Sequence, residues 1–151
     1  MIDISPVPSR FQLDVDHAPS ALIRRLSRRL RYRLDARLER YGLTSVQWGV
    51  IAHLGREDGQ SQAWLQQRLA IEGATLTPIV QRLERDGWIR RGSDPIDRRR
   101  QLVWLTPRSL EAMSKIADEV EKYRQESLRD FSDEEIAVFT AFLDRMEANL
   151  L

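Results

Sequence analysis

The chemistry available to this chain is concentrated in one short run, Asp94-Pro95-Ile96-Asp97-Arg98-Arg99-Arg100. Three adjacent guanidinium groups present rigid forks of N–H donors that match phosphate oxygens and guanine edges. The flanking runs Trp88-Ile89-Arg90-Arg91 and Leu102-Val103-Trp104-Leu105 are short, apolar and alternating. The pattern predicts a β-hairpin with a tight, cationic turn. An arginine on a thin hairpin can enter a minor groove, where the potential is most negative. Charges on such a hairpin can also serve only to keep an edge strand soluble. Other chemistries lack their parts. The chain contains no cysteine and two histidines, His17 and His53. This excludes disulfides and thiol switches, and leaves no cluster for a metal. No paired carboxylates, nucleophile–base set or phosphate loop stands at a workable spacing, so neither an enzyme nor a cofactor is expected.

The elements that must position the arginines are legible in the hydrophobic periodicity. The residues before the hairpin, Gly73 to Gly87, read as a tight turn at Glu72-Gly73-Ala74 and a helix over about 75–86. Leu76, Ile79, Val80 and Leu83 face inward, and Gly87 sits where a left-handed cap belongs. Ser61 caps a short helix over 62–69 whose apolar residues are Trp64, Leu65 and Leu69. Thr44 and Gln47 form a capping box for a helix through Trp48, Ile51 and Leu54, ended by Gly55 and Asp58-Gly59. Upstream, Leu22, Leu26, Leu30, Leu34 and Leu38 recur every fourth residue from about Ser20 until Gly42. Arg24, Arg25, Arg28, Arg29, Arg31, Arg33, Arg37 and Arg40 fill the opposite face. After the hairpin, Thr106-Pro107 opens a long helix to about Arg129, and Ser132 with Glu135 caps a last one. Residues 1–19, with Pro6, Pro8 and Pro19, read as an extended or partly ordered arm.

The fold class expected is therefore mainly α with a small β-hairpin: a winged helix-turn-helix over 43–106, flanked by helices at 20–42 and 107–151. The outer helices are strongly amphipathic, and their stripes would be exposed in a monomer. Antiparallel packing against a second chain would bury them, and a two-fold dimer would present two reading helices to successive major grooves. Folding back within one chain is the alternative. Charge supports a polyanionic partner. Residues 1–106 carry 18 Lys+Arg against 12 Asp+Glu, whereas 107–151 carry 6 against 11. Arginine outnumbers lysine 22 to 2, which suits bidentate phosphate and base contacts, although genomic base composition produces the same bias. At 151 residues, 42% hydrophobic and 31% charged, the chain fits one soluble domain with a dimerising extension. With no membrane-length apolar run and no signal-peptide core, a cytoplasmic protein is expected.

These residues resemble the MarR family of bacterial transcriptional regulators, in particular its SlyA-like members. The matching stretches are Leu43-Thr44-Ser45-Val46-Gln47-Trp48, Ile71-Glu72-Gly73-Ala74-Thr75-Leu76, Arg82-Leu83-Glu84-Arg85-Asp86-Gly87, and Asp97-Arg98-Arg99 leading to Leu105-Thr106. The resemblance implies an obligate homodimer on double-stranded DNA. It implies a pseudo-palindromic operator, repression of nearby genes, and release by small aromatic or phenolic ligands. By position, Arg98 resembles the wing-tip arginine of the minor groove, with Arg99 and Arg100 beside it. Asp97 and Arg99 resemble the pair that braces the wing, where a carboxylate fixes one guanidinium and leaves its neighbour free. Ser61, Thr75, Thr77 and Gln81 fall where DNA is faced. The threonines suit phosphate or a thymine methyl, and the glutamine suits adenine. Arg82 and Arg85 can reach phosphate, or pair with Glu84 and Asp86 on a solvated face.

Two positions depart from the family pattern. Pro78 stands where relatives carry a base-reading arginine, and is tolerated only within the first helical turn. That shifts specificity toward the wing and DNA shape. Ser109 replaces a glycine after the Leu-Thr pair, altering the hairpin-to-helix junction. An effector pocket in such a protein lies between the dimer helices and the winged helix. Its candidate lining is Arg29 and Tyr32 with Trp48 and His53, although Trp48 also suits the core and His53 an ordinary helix position. Trp64 and Trp104 are assigned to packing. The competing reading is a winged-helix module that binds protein instead of DNA, for which a neutral or apolar wing is expected.

Overall fold

The computed structural model describes residues 17–150. The expected arm lies outside the described residues except for 17–19, and Pro19 is already the first residue of a helix. Six helices and three short strands follow in order: α1 (Pro19–Leu38), α2 (Ser45–Arg56), β1 (Gln60–Ser61), α3 (Gln62–Leu69), α4 (Gly73–Arg85), β2 (Ile89–Ser93), β3 (Gln101–Leu105), α5 (Pro107–Ser127) and α6 (Asp133–Ala148). The chain is mainly helical with a small antiparallel sheet, as its periodicity predicts.

Local chemistry fixes most boundaries. Gly42, at φ +70°, ends the 3-10 turn Glu39–Tyr41 that continues α1. The Thr44 hydroxyl accepts from the Gln47 amide while the Gln47 side chain accepts from the Thr44 N–H, so the capping box forms. Asp35 reaches from α1 to accept the Ser45 N–H at 2.6 Å. Ser61 caps α3 through the Trp64 N–H, and Thr106 caps α5 with Pro107 at its first position. Gly87, at φ +76°, closes α4. Its N–H bonds to the Glu84 carbonyl and that of Trp88 to Leu83, which satisfies the last carbonyls and turns the chain into β2.

Three boundaries differ from the sequence expectation. The turn before α4 falls at Ala70, which takes φ +50° in place of a glycine, so α4 begins at Gly73, two residues early. Pro78 is then the sixth residue of α4, beyond the first turn where it was expected to be tolerated. The helix continues without the hydrogen bond Pro78 would have donated to Ala74. Gly55 does not end α2 but lies within it. A Cβ there would sit 2.7 Å from the Met113 side chain, so this glycine admits α5. The strand β1 was not foreseen, because two residues carry no periodicity. It pairs with β3 through Gln60↔Val103 and Ser61↔Leu102, giving the sheet order β1-β3-β2.

The core lies under the hairpin. Val50, Ile51 and Leu54 of α2, Leu65 of α3, and Leu76, Val80 and Leu83 of α4 are fully buried, together with Trp88, Ile89, Val103 and Leu105 around the sheet. Leu38 from α1 and Ile116 from α5 close the same core. The outer helices add Leu34 of α1 and Ala112, Met113 and Val120 of α5 at its edge, and most of their remaining apolar residues are open. On α1, Leu22, Ile23, Leu26 and Leu30 are 37–47% exposed, and α6 has no buried residue at all. Its Val138, Phe139, Phe142, Leu143 and Met146 form an open apolar face.

Candidate nucleic-acid interface

The α4 helix turns its apolar residues into the core, and geometry then decides what it offers outward. At 100° per residue, Ala74, Thr75, Thr77, Pro78, Gln81, Arg82 and Arg85 fall on one continuous exposed arc. The sequence-selected residues Thr75, Thr77, Gln81 and Arg82 are thus brought together, with Pro78 in their middle. Their donors are not equally free. The Thr77 hydroxyl donates to the Gly73 carbonyl at 2.8 Å, leaving its methyl group and a lone pair. Arg82 lies 3.6 Å from the Asp86 carboxylate and Arg85 lies 3.1 Å from it, so both share that one partner. Ser61 stands apart, half-buried at the start of α3, its oxygen accepting the Trp64 N–H.

Glu84 pairs with Arg91 on β2 instead of with a neighbour on α4. Its carboxylate accepts the Arg91 guanidinium at 2.7 Å and the Arg91 backbone N–H at 3.2 Å. The guanidinium holds the Glu84 carboxyl below the usual carboxylate range, against a smaller upward push from burial. Helix and hairpin are therefore clamped to each other. Within the hairpin, Arg90 stacks 4.4 Å over the Trp104 ring, and Gly92 leaves room for that ring where a Cβ would crowd it at 3.3 Å. Asp58 accepts the Leu105 N–H and ties the α2–β1 loop to β3. At the base, the buried Ser109 hydroxyl donates to the Trp88 carbonyl, and Arg108 donates to the Asp86 carbonyl while stacking on Trp88. The serine at the expected glycine position thus anchors α5 to the hairpin.

The tip is a seven-residue loop, wider than the tight turn expected. The Asp97 carboxylate does not pair with the Arg99 guanidinium but accepts the Arg99 backbone N–H at 3.1 Å. The residue organising the loop is Asp94, which sequence reasoning did not single out. It is only 9% exposed, its carboxylate accepts the Ile96 N–H at 2.8 Å, and it approaches Arg100 at 3.8 Å. An Asp-Pro pair opening a loop was the available signal. Among the described residues, the guanidinium groups of Arg98 and Arg99 have no ion-pair partner, and both side chains are exposed. The result is an exposed helix arc beside two unpaired cations on a braced hairpin, which can donate to a row of phosphates and base edges.

The four ligand candidates are not gathered into one place. Arg29 and Tyr32 line a cavity of about 410 Å³ with Arg28 and Arg33. That cavity includes neither Trp48, which is core, nor His53, whose ring meets Trp64 edge-on at 6.1 Å. Burial first, then Arg56 and Arg68, lower the His53 pKa and favour the neutral ring. Tyr32 also lines a second cavity of about 420 Å³, with Asp35, Glu39, Gln47 and Arg82. Among the described residues, no three His, Asp or Glu side chains cluster to hold a metal. None of their helices is long and apolar enough to cross a membrane.

A helix-turn-helix core with a hairpin packed beside its second helix defines a winged-helix DNA-binding fold. The MarR family profile matches residues 41–100. The chain is 30% identical over 144 residues to the HTH-type transcriptional regulator PecS of Dickeya dadantii, covering 91% of this chain and 87% of PecS. It superposes on MepR of S. aureus, solved as a DNA complex, with TM-score 0.80 at 25% identity, covering 89% and 97% of the two chains. It superposes on PcaV of Streptomyces coelicolor, solved with its natural ligand, with TM-score 0.79 at 27% identity, covering 92% and 98%. The chain belongs to the MarR family, whose members are transcriptional regulators and not enzymes.

Proposed function

We propose that this protein is a homodimeric, sequence-specific DNA-binding regulator that represses genes beside a pseudo-palindromic operator and is released by a small aromatic or phenolic ligand. The observation that carries this reading is the exposed α4 arc next to unpaired Arg98 and Arg99. In this reading α4 enters the major groove, with Thr75, Gln81 and Arg82 toward bases and phosphates. Arg98 and Arg99 enter or flank the minor groove, Arg100 lies beside them, and Ser61 meets the backbone at the start of α3. The similarity to MepR, solved on DNA, supports the groove assignment. Residues 43–106 form the reading unit, and residues 20–42 and 107–151 form the dimer. The open apolar faces of α1 and α6 support that division. The effector reading rests on the likeness to PcaV, solved with its ligand, and on the cavity that brings Arg29 and Tyr32 together, where a guanidinium beside an aromatic ring suits an aromatic anion.

The test is a selection from random duplex DNA with the purified full chain at moderate salt. The expected outcome is an enriched inverted repeat with half-sites about one helical turn apart. Uniform, salt-sensitive binding without enrichment would remove base readout from the reading. No DNA binding at all would favour the protein-interaction module.

A further inference from the structure

The loop at the hairpin tip has a single buried carboxylate, Asp94, which gathers the Ile96 and Asp97 backbone N–H groups and the Arg100 guanidinium. One oxygen accepts the Ile96 N–H at 2.8 Å and, more weakly, the Asp97 N–H at 3.4 Å. The other stands 3.8 Å from the Arg100 guanidinium. The Asp94 N–H in turn bonds to the Arg100 carbonyl at 2.9 Å, closing the loop at its neck. A second turn is nested inside, from the Arg100 N–H to the Asp97 carbonyl, also at 2.9 Å. The adjoining Ile96 is 97% exposed and buries nothing. No apolar contact of Ile96 therefore holds this loop; its conformation rests on these polar bonds.

We propose that Asp94 is the positioning residue of the wing. It fixes the tip backbone and engages Arg100, so that Arg98 and Arg99 are presented to DNA already ordered. The three arginines then have two roles. Arg100 is held back against Asp94, and Arg98 and Arg99 remain for the nucleic acid. Without the staple, a seven-residue loop bearing three like charges must be ordered on binding. That cost falls on affinity and not on the stability of the core. The inference rests on the DNA-binding reading above.

The experiment is a mutant cycle read by fluorescence anisotropy, using a labelled duplex carrying the repeat enriched by the unmodified chain. Saturable binding by the unmodified chain is the first arm, and its absence would overturn the DNA-binding reading itself. Given that binding, Asp94→Ala is expected to weaken affinity about tenfold or more with the melting temperature unchanged. Asp94→Asn keeps a carbonyl acceptor for the Ile96 N–H, so it should recover part of the loss. In a chain already carrying Arg98→Ala and Arg99→Ala, Asp94→Ala should cost about twofold or less, because it acts through those side chains. Unchanged affinity in Asp94→Ala overturns the proposal. A cost undiminished in the arginine-deleted background does so too. Should Asp94→Ala fail to fold, Asp94→Asn carries the same comparison in both backgrounds.

Discussion

At the scale of single residues, the interface depends on which side chains are already engaged. Arg82 and Arg85 share Asp86, Arg91 is bound to Glu84 and Arg100 leans on Asp94. Ion pairs open to solvent on at least one side are individually weak, but they decide which cations are immediately available. Arg98→Ala is therefore expected to weaken operator binding by about 1–3 kcal/mol, roughly fivefold to 150-fold, with the circular dichroism spectrum unchanged. Titration of labelled duplex checks it, and unchanged affinity would remove Arg98 from the interface. The exposed arginines were legible because charge in a turn is a local property. Asp94 was not, because its burial exists only once the hairpin closes. The Glu84–Arg91 pair spans seven residues and two elements, so no helical spacing announces it.

At the scale of elements, α2, α3 and the two capping boxes could be read because a cap is a contract between residues three apart. The start of α4 could not, since Ala70 occupies a left-handed conformation that the sequence marks with no glycine. Gly55 carries the opposite lesson: a glycine inside a helix signals a neighbour, here Met113, and not an end. The misplaced start matters most for Pro78, which sits two residues further into α4 than expected and leaves the Ala74 carbonyl without its helical donor. An interior proline costs about 3 kcal/mol relative to alanine. Pro78→Ala should accordingly raise stability by about 1–3 kcal/mol in urea unfolding. A neutral or destabilising result would mean that solvent or a frayed first turn already compensates.

At the scale of the whole molecule, the sequence marked the first and last helices as carrying an apolar stripe to be covered, because a stripe at helical spacing faces one way whatever it meets. What it could not give was the share of α5 in that core: Ile116 and Ser109 are fully buried beneath the hairpin. Cutting the chain after Thr106 would therefore damage the core as well as any dimer. A cleaner variant is Phe139→Asp with Phe142→Asp on α6, where both rings are exposed. Light scattering should report a dimer for the unmodified chain and a folded monomer for this variant. A variant that remains dimeric would move the interface off α6. The clamp between Glu84 and Arg91 carries a last consequence. It holds helix and wing together as one reading head, and the proposed dimer would carry two of them. Adding one base pair between half-sites turns one head's target by about 35° and shifts it by about 3.4 Å. Neither helix nor wing can follow this alone. The proposed operator is thus expected to tolerate a changed letter within a half-site better than a changed number of letters between the two.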